Sequence, residues 1–117
     1  MHEEILTQAG IDYAEGLQRF AGNLAIYNKY LYKFPQDPNF DGLRNAMQNE
    51  DYRDAFRYAH TLKGLTGNLS INLLFEQMRQ LTEALRNEND IALAKSLWPA
   101  IEKAYQNATA SILRAFE

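Results

Sequence analysis

Apolar residues recur at spacings of three and four along every long stretch of this chain, and nowhere do they alternate. Leu17, Phe20, Leu24, Tyr27, Leu31 and Phe34 make one such stripe. Leu74, Met78, Leu81 and Leu85 make a second, and Ala94, Leu97, Ile101, Ala104, Ala108, Ile112 and Ala115 a third. Residues three and four apart share one face of an α-helix, so this is the helical period. With no strand pattern, no internal repeat and no low-complexity tract, the chain is expected to be all-α. Its 117 residues suit a single domain, 1–117, with a core of its own. Four long amphipathic helices with short connections imply an antiparallel four-helix bundle with additional short helices.

Caps and breakers place the boundaries. A short helix over His2–Ala9 is stopped by Gly10, with His2 expected to be mobile near the terminus. Asp12, with Glu15 three residues on, opens a helix that runs to about Lys33. Pro35 and Pro38 bracket a loop ending at Asn39. Asp41 can cap a short helix through Leu43 and Met47. Asp51 caps the next helix, to Asn68, with Asp54 placed favourably for the helix dipole. The turn spans Asn68 to Asn72, with Ser70 as the following N-cap, and that helix ends near Asn87. Asp90 caps the last helix. Pro99 lies inside it, and its missing N–H should kink or divide the helix there, leaving Trp98 partly exposed.

The helix from Asp51 to Asn68 carries the chemistry. At about 100° per residue, Ala55, Ala59, Leu62, Thr66 and Leu69 fall roughly 180–260° from His60, an apolar arc facing away from it. On the histidine's own side lie Arg53, Phe56, Lys63, Gly64 and Gly67, with Arg57 at the edge. His60 is therefore expected on the exposed face. A glycine inside a helix costs about 1 kcal/mol relative to alanine. Two of them, one and two turns past His60, remove side chains where another molecule would approach. Lys63 at i+3 is a point charge able to reach a group attached to the imidazole. Neutral imidazole is a good nucleophile near pH 7. A nucleophile, a cation and a cleared approach suit transfer of an anionic group such as phosphoryl. Against this, a lone histidine on a helix is ordinarily a solvated surface residue. Gly64 and Gly67 are also compatible with close packing of a neighbouring helix.

The run His60-Thr61-Leu62-Lys63-Gly64-Leu65-Thr66-Gly67-Asn68-Leu69 resembles the His-x-Leu-Lys-Gly-x-x-Gly-x-Leu signature of histidine-containing phosphotransfer (HPt) domains. The resemblance extends to nearly the whole chain. Gly10-Ile11-Asp12, Gly16-Leu17 and the Tyr/Leu/Phe-rich helix are similar to the start of such domains, and the hairpin and long last helix also fit. Ser70 stands where many members have glycine, which bears on the turn. Thr82 stands nearest the place of a glutamine that many members carry beside the active imidazole. A turn centred near Ser70 puts His60 level with about Leu81, so Gln77, Met78, Leu81 and Thr82 are the candidates to flank the ring.

The resemblance implies a phosphocarrier of a two-component phosphorelay. His60 would attack the phosphoryl group through Nε2 and Lys63 would help neutralise its oxygens. Arg53 and Arg57 are weaker candidates for that role or for docking, and Gly64, Gly67 and Phe56 complete the docking face. The partners would be response-regulator receiver domains, a histidine kinase, or both. No cofactor or metal of its own is expected, because no carboxylates cluster around His60, and Mg²⁺ would come from the receiver. Such a chain is half of an active site rather than a self-contained kinase.

Composition narrows the alternatives. A net charge of −3 gives no basic field for nucleic acid. The absence of cysteine excludes disulfides, zinc fingers and thiol catalysis. No apolar run approaches the roughly 18 residues of a membrane span, and no signal peptide is visible. A cytoplasmic monomer is the expectation. A structural helical adaptor, with His60 incidental, is the other reading. A metal-dependent or hydrolytic enzyme is disfavoured by only two histidines and by the lack of His-x-x-x-His, Gly-x-Ser-x-Gly or a nucleotide-binding loop.

Overall fold

Aspartate caps set three of the helix starts. The computed structural model describes residues 1–117. It contains seven α-helices: α1 (Glu3–Gln8), α2 (Tyr13–Arg19), α3 (Leu24–Lys33), α4 (Asn39–Gln48), α5 (Tyr52–Asn68), α6 (Asn72–Leu85) and α7 (Ile91–Ala115). Two 3₁₀ turns, Phe34–Gln36 and Arg86–Glu88, complete the secondary structure, and there is no strand. The side chains of Asp12, Asp51 and Asp90 accept from the backbone N–H of Glu15, Asp54 and Leu93. Each bond satisfies one of the donors that a first helical turn leaves orphaned. The chain is all-α, as its periodicity requires.

The stripe from Leu17 to Phe34 does not belong to one helix, contrary to expectation. The chain breaks after Arg19, where Ala21 and Gly22 take left-handed φ angles of +54° and +77°. Asn23 then opens α3 by accepting from the N–H of Ile26 at 3.1 Å. Glycine followed by asparagine supplies both the turn and the new cap. The spacing of three and four continues through the break and conceals it. Gly16 makes the fold-back possible, because a Cβ there would collide with the Tyr27 ring. Tyr27 is fully buried and its hydroxyl donates to the Leu69 carbonyl at 2.8 Å.

Other boundaries shift for local reasons. The Asp37 carboxylate accepts from the Asn39 N–H at 2.9 Å, and α4 starts there, with Pro38 at the cap position, rather than at Asp41. Asp41 instead pairs with Arg44 at 2.8 Å. Ser70 is the turn between α5 and α6, not the cap: it is buried at φ +56°, and Ile71 takes the cap position without a side-chain bond. A left-handed non-glycine residue costs about 1–2 kcal/mol. Ser70 offsets this through Oγ, which donates to Glu15 at 2.9 Å and accepts from Arg19 at 3.2 Å. Its carbonyl accepts from the Asp12 N–H at 3.0 Å. Thus α2 is tied to the α5–α6 turn. Nor is His2 loose, because its N–H donates to the Ala115 carbonyl at 2.8 Å.

Pro99 does not divide α7. The carbonyl its missing N–H leaves unserved is that of Lys95, on an exposed face where water can replace the bond. Trp98 is half-buried, as expected, and stacks on Phe40 with ring centroids 5.5 Å apart.

Helices α5, α6 and α7 pack in chain order, and α4 packs on α5. α4 also meets α7, through Phe40 stacked on Tyr105 at 3.7 Å and the Arg44–Glu102 pair at 3.3 Å. α1 lies against α7. Helices α4 and α6 are thus the principal neighbours of α5. No helix is long and apolar enough to cross a membrane.

Candidate functional site

The buried face of α5 is Ala55, Ala59, Leu62 and Thr66, and His60 is exposed on the opposite side. Arg53, Arg57 and Gly64 are exposed with it, while Phe56, Lys63 and Gly67 are half-buried at its flanks. The wheel thus places His60, Arg53 and Gly64 as the structure does, while Phe56, Lys63 and Gly67 are less exposed, and Arg57 more exposed, than it implied. The Thr66 hydroxyl donates to the carbonyl of Leu62 at 2.8 Å, so a polar residue on the core face leaves no unsatisfied hydroxyl.

The two glycines differ. A Cβ at Gly64 would have nothing within 4 Å, so the space above it is open. A Cβ at Gly67 would lie 3.1 Å from the Phe75 ring of α6. Gly67 is where Phe75 lies against α5, whereas Gly64 seats nothing inside the molecule.

The cations also differ. Arg57 is committed to Asp54 at 2.9 Å and stacks over Tyr58 at 5.1 Å. The Asp54 hydrogen bond holds its pKa above the usual arginine value. Neither Arg53 nor Lys63 has a carboxylate partner within the chain. A histidine with an open approach, one free cation a turn away and no competing carboxylate is arranged to hold a dianionic group. The family model of the Hpt domain matches residues 36–111 of the chain.

The chain belongs to the Hpt-domain family. No curated protein and no solved structure matches it. The Hpt match runs from the 3₁₀ turn before α4 through most of α7, so His60 and its neighbours all lie inside it, while α1 to α3 precede it. Hpt domains are histidine phosphotransfer modules of phosphorelays, working with receiver domains and histidine kinases.

Within this Hpt domain, the expected flankers from α6 do not reach the imidazole as donors. Met78, Leu81 and Thr82 are buried, and the Thr82 hydroxyl donates to the Met78 carbonyl at 2.6 Å. Gln77 is about 160° around α6 from Phe75, which packs on Gly67 of α5, and so faces a different side of the helix. Its Oε1 is buried without a partner. The ring that does approach His60 is Phe56, with centroids 6.0 Å apart.

Arg86 is the neighbour that sequence reasoning missed. Its guanidinium lies over the Phe56 ring, 5.0 Å from the centroid. The Phe75–Gly67 contact sets the antiparallel register that brings Arg86 opposite Phe56. Arg53, Phe56 and Arg86 line a recess of about 600 Å³ with Leu85, Asn87 and Glu88. A second, more apolar groove of about 660 Å³ runs past the far end of α5, between Leu65 and the side chains of Phe20 and Tyr30.

Proposed function

We propose that this chain is a phosphocarrier that takes a phosphoryl group onto His60 and passes it to an aspartate of a receiver domain. The donor is a phospho-aspartyl receiver or a histidine kinase. With an aspartyl donor, the Nε2 lone pair forms the N–P bond as the acyl O–P bond breaks, and that bond's electrons leave with the carboxylate. Onward transfer is the reverse with a second aspartate. Phosphoryl transfer of this kind is mainly positioning and electrostatics, which is why half an active site suffices.

The observation that carries the reading is the combination at His60: an exposed imidazole, open space over Gly64 and an unpaired Lys63 at i+3. Lys63 neutralises phosphoryl oxygens. Gly64 clears the path of the partner's aspartate. Gly67 lowers the same face by leaving room for Phe75 against α5, and Arg53 and, more weakly, Arg57 meet the docked partner. Mg²⁺ belongs to the receiver. The carrier works in the cytoplasm as a monomer.

The test is incubation with phosphorylated receiver domains, followed by mapping of the phosphate. His60→Gln should fold normally and accept none. Full labelling of that variant, or label that maps to His2, rejects the proposal. A wild-type chain that binds a partner but never carries acid-labile phosphate is an adaptor instead.

A further inference from the structure

Phe56 touches both His60 and Arg86, and the transfer scheme so far gives Arg86 no part. The phenyl ring sits one helical turn before the imidazole, the two planes tilted by 36° at a centroid distance of 6.0 Å. Aromatic rings attract at this separation. The Arg86 guanidinium, 5.0 Å from the phenyl centroid, is at cation–π distance. It is held in turn by Glu83 at 3.2 Å. Glu83, Arg86 and Phe56 therefore form a chain of contacts that ends on His60 and joins α6 and the turn after it to α5.

No side-chain hydrogen bond within the chain involves the His60 ring. The Thr82 hydroxyl is engaged by the Met78 carbonyl, and the Gln77 Oε1 is buried without a partner. Thr61, the next residue in α5, donates to the Arg57 carbonyl at 3.1 Å. Gly64 offers no side chain at all. An exposed imidazole with neither hydrogen bond nor wall samples several staggered rotamers. In-line transfer is productive from only one orientation of the attacking atom.

We infer that Phe56, clamped by Arg86, is a positioning residue that restricts the His60 imidazole to the rotamer from which Nε2 meets the partner's phosphoryl group. This rests on His60 being the phosphoryl carrier. Phe56 thereby has a role distinct from docking: it acts on the turnover step through the imidazole, not on the partner's affinity. Arg86 acts one contact further out, by keeping the half-buried phenyl ring in place.

The experiment uses the whole chain and three variants, Phe56→Leu, Phe56→Tyr and Arg86→Gln. Phe56→Leu keeps apolar bulk but removes the ring; Arg86 is exposed, so Arg86→Gln remains informative if Phe56→Leu does not fold. NMR of the unphosphorylated protein reads the imidazole directly. The wild type should show contacts between the Phe56 and His60 rings and side-chain couplings of a single His60 rotamer. Phe56→Leu and Arg86→Gln should show averaged couplings. With a phosphorylated receiver as donor, kcat should fall about 3- to 10-fold in Phe56→Leu and less in Arg86→Gln, the range expected for loss of one aromatic contact. KM should stay within about two-fold, because the lost interaction orients rather than binds. Phe56→Tyr, which keeps the ring, should recover kcat. A loss confined to KM, a wild-type kcat in both Phe56→Leu and Arg86→Gln, or a single rotamer retained in both overturns the inference. If the wild type accepts no phosphoryl group from any receiver, the transfer reading itself fails, and the couplings still decide whether the clamp holds the ring.

Discussion

Lys63 and Arg57 lie on the same face of one helix and have different fates. Arg57 finds Asp54 three residues earlier and a tyrosine ring to lie on. Lys63 has no such partner, so on the proposed reading its charge is available to a group on His60. Lys63→Ala should change stability by no more than about 0.5 kcal/mol, as is usual for a side chain without a specific contact. It should slow phosphoryl exchange with a receiver, or shorten the lifetime of phospho-His60, by removing a charge-assisted contact. Lys63→Arg should keep part of the effect, since the charge stays and its geometry changes. Rates and lifetimes measured at matched ionic strength check this, and three equal results remove Lys63 from the mechanism. At this scale the sequence was a good guide wherever a helical wheel sufficed, because exposure depends only on the angle from the apolar arc. It was a poor guide wherever a rotamer or a second helix decided. Asp54 was visible, but not its capture of Arg57. Arg86 went unnoticed because it arrives from beyond the end of α6.

Among the elements, α5 is the clearest case of sequence dictating structure. Asp51 caps it, four small or apolar residues bury it, and it runs as far as the wheel allows. Its weak point is Gly64, which seats nothing. Gly64→Gln should therefore raise stability, by up to about 1 kcal/mol from helix propensity alone. It should also slow transfer, because the new side chain stands in the approach path. Thermal melting and exchange rates check the two effects together, and a destabilised Gly64→Gln would mean that a packing role has been overlooked. The first long helix was misjudged for an equally physical reason. Its apolar spacing survives the left-handed step at Ala21 and Gly22, so periodicity alone runs α2 into α3. Ser70 misled in another way. A serine before a helix reads as a cap, but here its hydroxyl is drawn to Glu15, a residue 55 positions away. Long-range contacts of that kind leave no local trace.

For the molecule as a whole, alkaline pH should probe the join between α2, α3 and the α5–α6 turn. Burial pushes the Tyr27 pKa far above its ordinary value of 10.0, helped by Tyr13, Asp12 and Glu15 nearby. Burial also raises Tyr13 and Tyr105. Above pH 10.0 the unfolded chain sheds tyrosine protons that the folded chain keeps, so the unfolded state binds fewer protons and stability falls with rising pH. That stability is fully present below the unfolded value. Tyr27→Phe should cost about 1 kcal/mol at neutral pH through the bond lost to the Leu69 carbonyl, and should make the alkaline decline shallower. Denaturant unfolding between about pH 8 and 11 tests the sign of the slope, since the window brackets the ordinary tyrosine value; an unchanged slope in Tyr27→Phe contradicts it. The openness of the His60 face has a consequence of a different sort. Space that the proposed transfer needs for a partner's aspartate is equally clear for water, since nothing lies within 4 Å of a Cβ at Gly64. A phosphoramidate held there is a message with an expiry, delivered to the next receiver or erased by hydrolysis. The architecture that would make this chain a courier would also make it a clock.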